Sequence, residues 1–301
     1  MEIEKVVIPL AGMGTGLLPA TKSQPKEMLP VACKPVVQYV VEEMVDQGLT
    51  RFLFITGRDK RPVEDHFDRD PELLNRLSES ENRELLDAVD YGRESARFFF
   101  TRQLIPQGRH TPPGIGDAIG GAEDFAGNDP FVVALGDTIV KSGSHAGLIR
   151  RMIRSHFQHD SRCTIAVVEV EPSDVPNYGI VKPRGRAGTD FEIESIVEKP
   201  SPADAPSRLA VAARYVFHPE IFDAIRHTLP GPSGKLELTD AIATLIKMGR
   251  KVRCVRLKKE ELRYGIGDPV SYYKAFIDFA ISDQRHGYII RQHVQKLLRE
   301  F

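Results

Sequence analysis

The stretch GMGTGLLPATKSQPKEMLP, Gly12 to Pro30, directly follows the apolar run Val6-Val7-Ile8-Pro9-Leu10. A buried strand that opens into a glycine-rich loop and then a lysine is a place to hold phosphates. Gly12 and Gly14 lack a Cβ, so their backbone is free to approach a ligand closely and to adopt positive φ. Lys22 and Lys26 bring positive charge to the same loop. Two familiar phosphate motifs are excluded. The third glycine of a dinucleotide fingerprint falls at Leu17, Pro19 and Pro25 interrupt any helix there, and Glu42 and Glu43 lie inside a helical pattern rather than at a strand end. No Gly-Lys-Ser/Thr closes the loop, so it is not a P-loop.

Outward from this loop, strands and helices alternate. Strand-like runs cover Lys5–Leu10, Phe52–Thr56, Phe98–Thr101, Phe131–Leu135, Thr164–Val170, Ile193–Glu198, Leu209–Phe217 and Val252–Leu257. Val37, Val40, Val41, Met44 and Val45 mark one helix face, with Gly48 as its C-terminal cap. The spacing of Leu73, Leu74, Leu77, Leu85 and Leu86 predicts one charged helix over Pro71–Tyr91. This order predicts an α/β fold, a Rossmann-like mixed, mostly parallel sheet with helices on both faces. Ligands in such sheets bind beyond the carboxyl ends of strands, where the glycine loop and Gly136-Asp137 both lie. The strand-rich second half extends the same sheet, giving one domain over 1–283. An amphipathic helix follows at 284–301, to pack on its own subunit or against a second copy.

Composition narrows the function. Lysine plus arginine (41) nearly balance aspartate plus glutamate (42), so no basic field favours nucleic acid or a membrane surface. No apolar run approaches the ~20 residues of a membrane span. The first residues, Met1-Glu2-Ile3-Glu4-Lys5, lack a signal-peptide pattern. Cys33, Cys163 and Cys254 are isolated, which fits a reducing cytoplasm and argues against a zinc site or a disulfide framework.

Gly12–Pro30 resembles the signature of the sugar nucleotidyltransferases, specifically the bacterial UTP–glucose-1-phosphate uridylyltransferases, whose pattern is GxGTRxLPxTKxxPKEMLP. The likeness continues in order through Lys34-Pro35, Gln38–Glu43, His66-Phe67-Asp68, Arg102-Gln103, Tyr178-Gly179-Ile180-Val181, Val197-Glu198-Lys199-Pro200, Arg214-Tyr215-Val216, Leu238–Ile242 and Tyr272–Phe276. It implies the nucleotide-diphospho-sugar transferase fold, with a nucleotide-binding part over about 1–140 and a sugar-binding part over about 141–283. It also implies the reaction of UTP with glucose 1-phosphate to give UDP-glucose and pyrophosphate. That reaction joins two anions, so it needs cations and alignment more than a general base.

The resemblance assigns roles by position. Lys26 contacts phosphates, and Lys199 bridges the sugar phosphate and the α-phosphate. Glu198 accepts from sugar hydroxyls and Gly179 offers backbone to the sugar. Asp137 holds Mg²⁺, and Gln103 reads the uracil beside the backbone of Ala11 and Gly12, with Gly14 and Thr15 also at the nucleotide. Relatives form dimers or tetramers, so a homo-oligomer is expected. Plainer readings stand beside these: Lys26 a surface lysine, Glu198-Lys199 an exposed pair, and Asp137 a turn residue. Strand alternation would send Glu198 and Lys199 to opposite faces, so a bend is required there. Thr239 and Asp240 are taken as a helix cap.

Three departures bear on turnover. The family arginine after GxGT is Gly16, and the aspartate that serves many relatives as a second metal ligand is Gly265. A longer connection, Leu104 to Pro113, leads to Gly114-Ile115-Gly116-Asp117-Ala118, with Asp117 in place of a histidine; its plainer reading is the cap of the following helix. Two readings follow: an active enzyme with compensating cations such as Arg58, Lys60 or Arg109, or a catalytically weak or inactive sugar-nucleotide-binding homologue that acts as a regulatory partner of an active paralogue.

Overall fold

The computed structural model describes residues 3–90, 96–142 and 147–300. The first strand, β1 (Lys5–Pro9), leads into the glycine loop. The short strands β2 (Pro30–Val31) and β3 (Lys34–Pro35) then form a hairpin before α1 (Val36–Val45). Next come β4 (Arg51–Thr56), α2 (Arg61–Phe67), α3 (Pro71–Glu79), α4 (Arg83–Val89) and β5 (Arg97–Arg102). The middle of the chain supplies α5 (Ile115–Gly120), α6 (Glu123–Ala126), β6 (Phe131–Ala134), β7 (Thr138–Lys141), α7 (Leu148–Gln158) and β8 (Cys163–Glu169). Then follow β9 (Gly179–Pro183), β10 (Asp190–Glu198), β11 (Leu209–Phe217), α8 (Glu220–Arg226) and α9 (Leu238–Lys247). The chain ends with β12 (Val252–Arg256), β13 (Leu262–Gly265), α10 (Pro269–Ser282) and α11 (Gly287–Glu300).

Nine strands form one sheet in the order β5-β4-β1-β6-β11-β8-β12-β10-β9. The pairs β5–β4, β4–β1, β1–β6 and β12–β8 are parallel, and the remaining neighbours are antiparallel. The sheet is therefore mixed. Parallel pairing dominates its first half, where helices connect β1, β4, β5 and β6 in turn. In the second half only β12–β8 is parallel.

Alternation assigns each side chain to a face. Val6, Ile8, Phe52, Phe54 and Val132 join Val40, Val41 and Met44 of α1 and Met152 of α7 in one core. Val7, Leu53, Ile55 and Val133 join Ile119 of α5, Phe222 of α8 and Ile242 of α9 in the other. Because both faces are covered, β11 is buried along its whole length and reads as a continuous apolar run.

The eight expected strands all form, with ends shifted by a residue or a few. Helix α1 stops where Gly48 donates to Val45 O at 2.8 Å and Leu49 to Met44 O at 3.1 Å, the double closure of a glycine-terminated helix. The single helix expected over Pro71–Tyr91 is two. Glu81 turns to φ 54 and Asn82 caps a new helix by accepting from Leu85 N at 3.2 Å. Tyr91 lies outside the described residues. Strands β7 and β13 pair with each other beside the main sheet, an element that short polar runs did not announce. The apolar side chains of α11 find little cover on this chain: Ile289 is 62% and Leu298 74% exposed. No helix among the described residues is long and apolar enough to cross a membrane.

His156 of α7 is buried, and its Nδ1 lies 3.2 Å from Thr164 Oγ1. Burial, with His218 and Arg162 nearby, pushes its pKa down to about 4. The unfolded chain takes up this proton near pH 6.5, the native chain only near 4. Stability from a neutral His156 is therefore complete above pH 6.5 and is lost as pH falls toward 4, by about 3 kcal/mol. Chemical denaturation of the native chain and His156→Gln across this window should show the difference. Parallel pH profiles would refute it.

Candidate active site

Beyond the carboxyl end of β6 the chain runs Leu135-Gly136-Asp137 and at once becomes β7. Asp137 is held from both sides. Its carbonyl accepts from Ile266 N at 2.8 Å, and the carbonyl of Thr138 accepts from the buried Arg214 Nη2 at 2.8 Å. One carboxylate oxygen of Asp137 takes a short hydrogen bond from Lys26 Nζ, and the other accepts from Thr138 Oγ1 at 3.2 Å. Burial alone would raise the Asp137 pKa. The Lys26 ammonium, these hydrogen bonds and the charge of Arg263 outweigh burial and hold it below the usual carboxylate range. Burial likewise opposes the Lys26 charge, but Asp137 and Glu27 prevail and the Lys26 pKa is raised.

Lys26 opens a 3₁₀ turn, Lys26–Met28, in the signature loop. Beneath it Glu27 accepts from Lys60 Nζ at 2.7 Å, and the two are only 2% and 5% exposed. This buried pair anchors the loop to the segment after β4. Lys60 is therefore not a compensating cation; its charge is spent inside.

The bend needed after Glu198 is present. Strand β10 ends at Glu198, and Lys199 takes a left-handed φ of 44°, its N–H donating to Tyr178 O at 3.0 Å. This breaks strand alternation, so Glu198 and Lys199 reach the same cleft and approach each other to 3.4 Å. Lys199 is exposed and Glu198 half-buried, and the bend puts them on one cleft rather than on opposite faces. That cleft encloses about 960 Å³ and brings Asp137, Gly179, Glu198 and Lys199 together. A Cβ on Gly179 would lie 2.9 Å from Thr239 Oγ1 and 3.3 Å from Glu198 Oε2, so only glycine keeps this wall open. Thr239 does not cap α9, nor does Asp240. Glu237 precedes the helix without a capping side chain, and Thr239 lines the cleft instead.

Arg263 was not singled out from the sequence. It lines the cleft with its guanidinium carbon 4.5 Å from the centre of the Tyr178 ring. Among the described residues it makes no direct ion pair, though its charge acts on Asp137, and its Nε is buried without a hydrogen bond. A stacked guanidinium left unpaired in a concave wall is suited to an anion. No group of three or more His, Cys, Asp or Glu among the described residues is arranged to hold a metal ion. Asp137, ionised and reachable, is a carboxylate that could contribute to holding a divalent cation.

The expected nucleotide contacts lie apart from this lining, along the ends of β1, β4 and β5. Ala11 and Gly12 follow β1, and the Gly57 backbone packs closely on Ala11. Gly14 adopts φ 66° and its carbonyl accepts from Thr21 Oγ1 at 2.8 Å; Thr15 is exposed in the next turn. Gln103 follows β5, its N–H donating to Thr56 O at 2.9 Å. Asp117 is not the cap of α5, whose N-cap position is Gly114; its carboxylate accepts from Gln103 Nε2 at 2.8 Å.

The two glycine departures differ physically. A Cβ at Gly16 would overlap the carbonyl oxygen of Gly267, so the signature loop here closes onto the segment after β13. At Gly265 a Cβ would meet only the Arg263 guanidinium, at 3.4 Å. Asp268 is engaged as the cap of α10, accepting from Ser271 N at 3.0 Å. Arg109 is tied to the Gly234 carbonyl. Gly16→Arg should therefore lower stability by about 1–3 kcal/mol through overpacking, whereas Gly265→Asp should leave thermal unfolding nearly unchanged. Equal melting points for the two variants would contradict this packing.

A profile of the nucleotidyl transferase family matches residues 5–280. The UTP–glucose-1-phosphate uridylyltransferase of Staphylococcus epidermidis is 37% identical over 296 residues, covering 98% of this chain and 99% of its own length. The UTP-bound UGPase of Acinetobacter baumannii superposes with a TM-score of 0.85 at 32% identity, covering 98% of this chain and all of that one. A UDP-glucose pyrophosphorylase complexed with UDP-glucose superposes at 0.81 and 32% identity, covering 92% of this chain and 98% of its own. By sequence over nearly its full length and by fold, the chain belongs to the nucleotidyl transferase family, in its branch of UTP–glucose-1-phosphate uridylyltransferases.

Proposed function

We propose that this chain transfers the uridylyl group of UTP to glucose 1-phosphate, releasing pyrophosphate and forming UDP-glucose. The observation that carries this reading is the left-handed turn at Lys199. It sets an ammonium and the Glu198 carboxylate on one cleft with Asp137, which Lys26 meets. A phosphate oxygen of the sugar attacks the α-phosphorus. A new P–O bond forms as the bond to the departing pyrophosphate breaks, and the bonding pair leaves with it. The nucleophile is already ionised, so no side chain must remove a proton.

Lys26, Lys199 and Arg263 meet the negative charge of the phosphates. Glu198 accepts from sugar hydroxyls, and Gly179 lets the backbone approach them. Asp137 would hold Mg²⁺, which neutralises phosphate charge when bound. The reading as an inactive binding partner rested on charges missing at Gly16 and Gly265. Arg263, in the same wall as Gly265, offsets part of that loss.

Purified protein given UTP, glucose 1-phosphate and Mg²⁺ should release pyrophosphate. Lys199→Ala or Asp137→Asn should lower kcat by about 10²–10³-fold without moving the melting point comparably. Native protein that binds UDP-glucose yet releases no pyrophosphate would favour the binding partner instead.

A further inference from the structure

The amide nitrogen of Gln103 has two acceptors: the Gly114 carbonyl oxygen at 2.8 Å and Asp117 Oδ2 at 2.8 Å. A primary amide carries two N–H donors, so both are committed. Turning the amide over would press Oε1 against a carbonyl oxygen and a carboxylate oxygen with no hydrogen between them. The network therefore admits one orientation. Oε1 accepts from no donor among the described residues and is the side of the amide left for a ligand. That segment is itself fixed: Leu236 N donates to Pro113 O at 2.7 Å and Gly116 N to Leu236 O at 2.9 Å. The two acceptors thus form a rigid frame rather than a mobile loop.

We propose that Asp117 is a positioning residue that locks Gln103 as a hydrogen-bond acceptor toward the nucleobase. The site then selects pyrimidines with an N–H at ring position 3 over cytosine, whose N3 is itself an acceptor. The inference rests on the proposed uridylyl transfer and on Gln103 facing the base. Uracil's N3–H meets Oε1. Cytosine would set two acceptors against each other, and the amide has no free N–H to offer it. An acid near a triphosphate opposes anion binding, and this chain carries one where the resemblance leads one to expect a histidine. Its carboxylate is engaged with the amide. Without Asp117 one amide hydrogen is released, and the side chain gains the freedom to offer a donor.

The test is the ratio of UTP to CTP, in binding by calorimetry and in kcat/KM with glucose 1-phosphate and Mg²⁺. The native protein should prefer UTP, and Asp117→Ala should cut that preference by about tenfold. Asp117→Asn removes the charge but keeps an acceptor oxygen. It should shift both nucleotides alike and retain most of the ratio. Gln103→Ala should lose the preference, and adding Asp117→Ala to it should change nothing further. A merely structural Asp117 would weaken both nucleotides together and leave the ratio unmoved; that result overturns the inference while uridylyl transfer stands. Native protein that binds UTP and CTP equally also overturns it. Native protein that binds neither brings down the functional reading as well.

Discussion

A guanidinium with no exposed surface holds the cleft together. Arg214, in the middle of β11, donates from Nε and Nη2 to Glu43 of α1 at 3.1 and 2.6 Å, from Nη1 to Ala213 O at 3.0 Å and from Nη2 to Thr138 O at 2.8 Å. Taking such a pair out of water costs several kcal/mol per ion, and only full hydrogen bonding offsets it. Burial pushes the Glu43 pKa up even with Arg214 against it. The pair is thus weak evidence for stability and strong evidence for geometry. It binds the helix after the signature loop to the two strands that flank Asp137. Lys26 closes the ring by meeting the Asp137 carboxylate. A ring with two charged links, one buried and one at the cleft wall, has few ways to rearrange.

Much of the fold was legible because apolar runs in this sheet serve two cores at once. Leu209–Phe217 and Phe131–Leu135 read as strands on that ground alone, and the structure has strands there. Strands β7, β9 and β13 were missed as strands for the converse reason. They are short, and their residues, such as Leu262-Arg263-Tyr264-Gly265, show neither a long apolar run nor clean alternation. Only partners distant in sequence make them strands. The break at Ser80-Glu81-Asn82 was overlooked because the leucine spacing runs on across it. An asparagine able to cap a new helix outweighed that periodicity.

The site was legible to the extent that motif positions carry it. Asp137, Glu198 and Lys199 sit far apart in sequence and share a cleft because they follow or end strands of one sheet. What stayed hidden were partnerships. Lys60 reads as an available cation until Glu27 is found against it. Asp117 reads as an unwelcome charge until Gln103 is found donating to it. Arg263 and Gly265 are two apart on β13 and so share a face, which turns an apparent loss at one position into room for a guanidinium from the other. No one-dimensional pattern encodes which side chains meet.

The cleft carries charges of both signs. Lys26 and Arg263 act on Asp137, while Glu198 acts on Glu237 and Asp240. Burial first, and then Glu198, raise the pKa of both Glu237 and Asp240. Carboxyl groups gathered in this way repel a phosphate and welcome hydroxyl donors, and the cations do the reverse. Lys199 lies 3.4 Å from Glu198 and its charge also acts on Glu237. The left-handed bend at this one residue is what places a cation among these carboxyl groups.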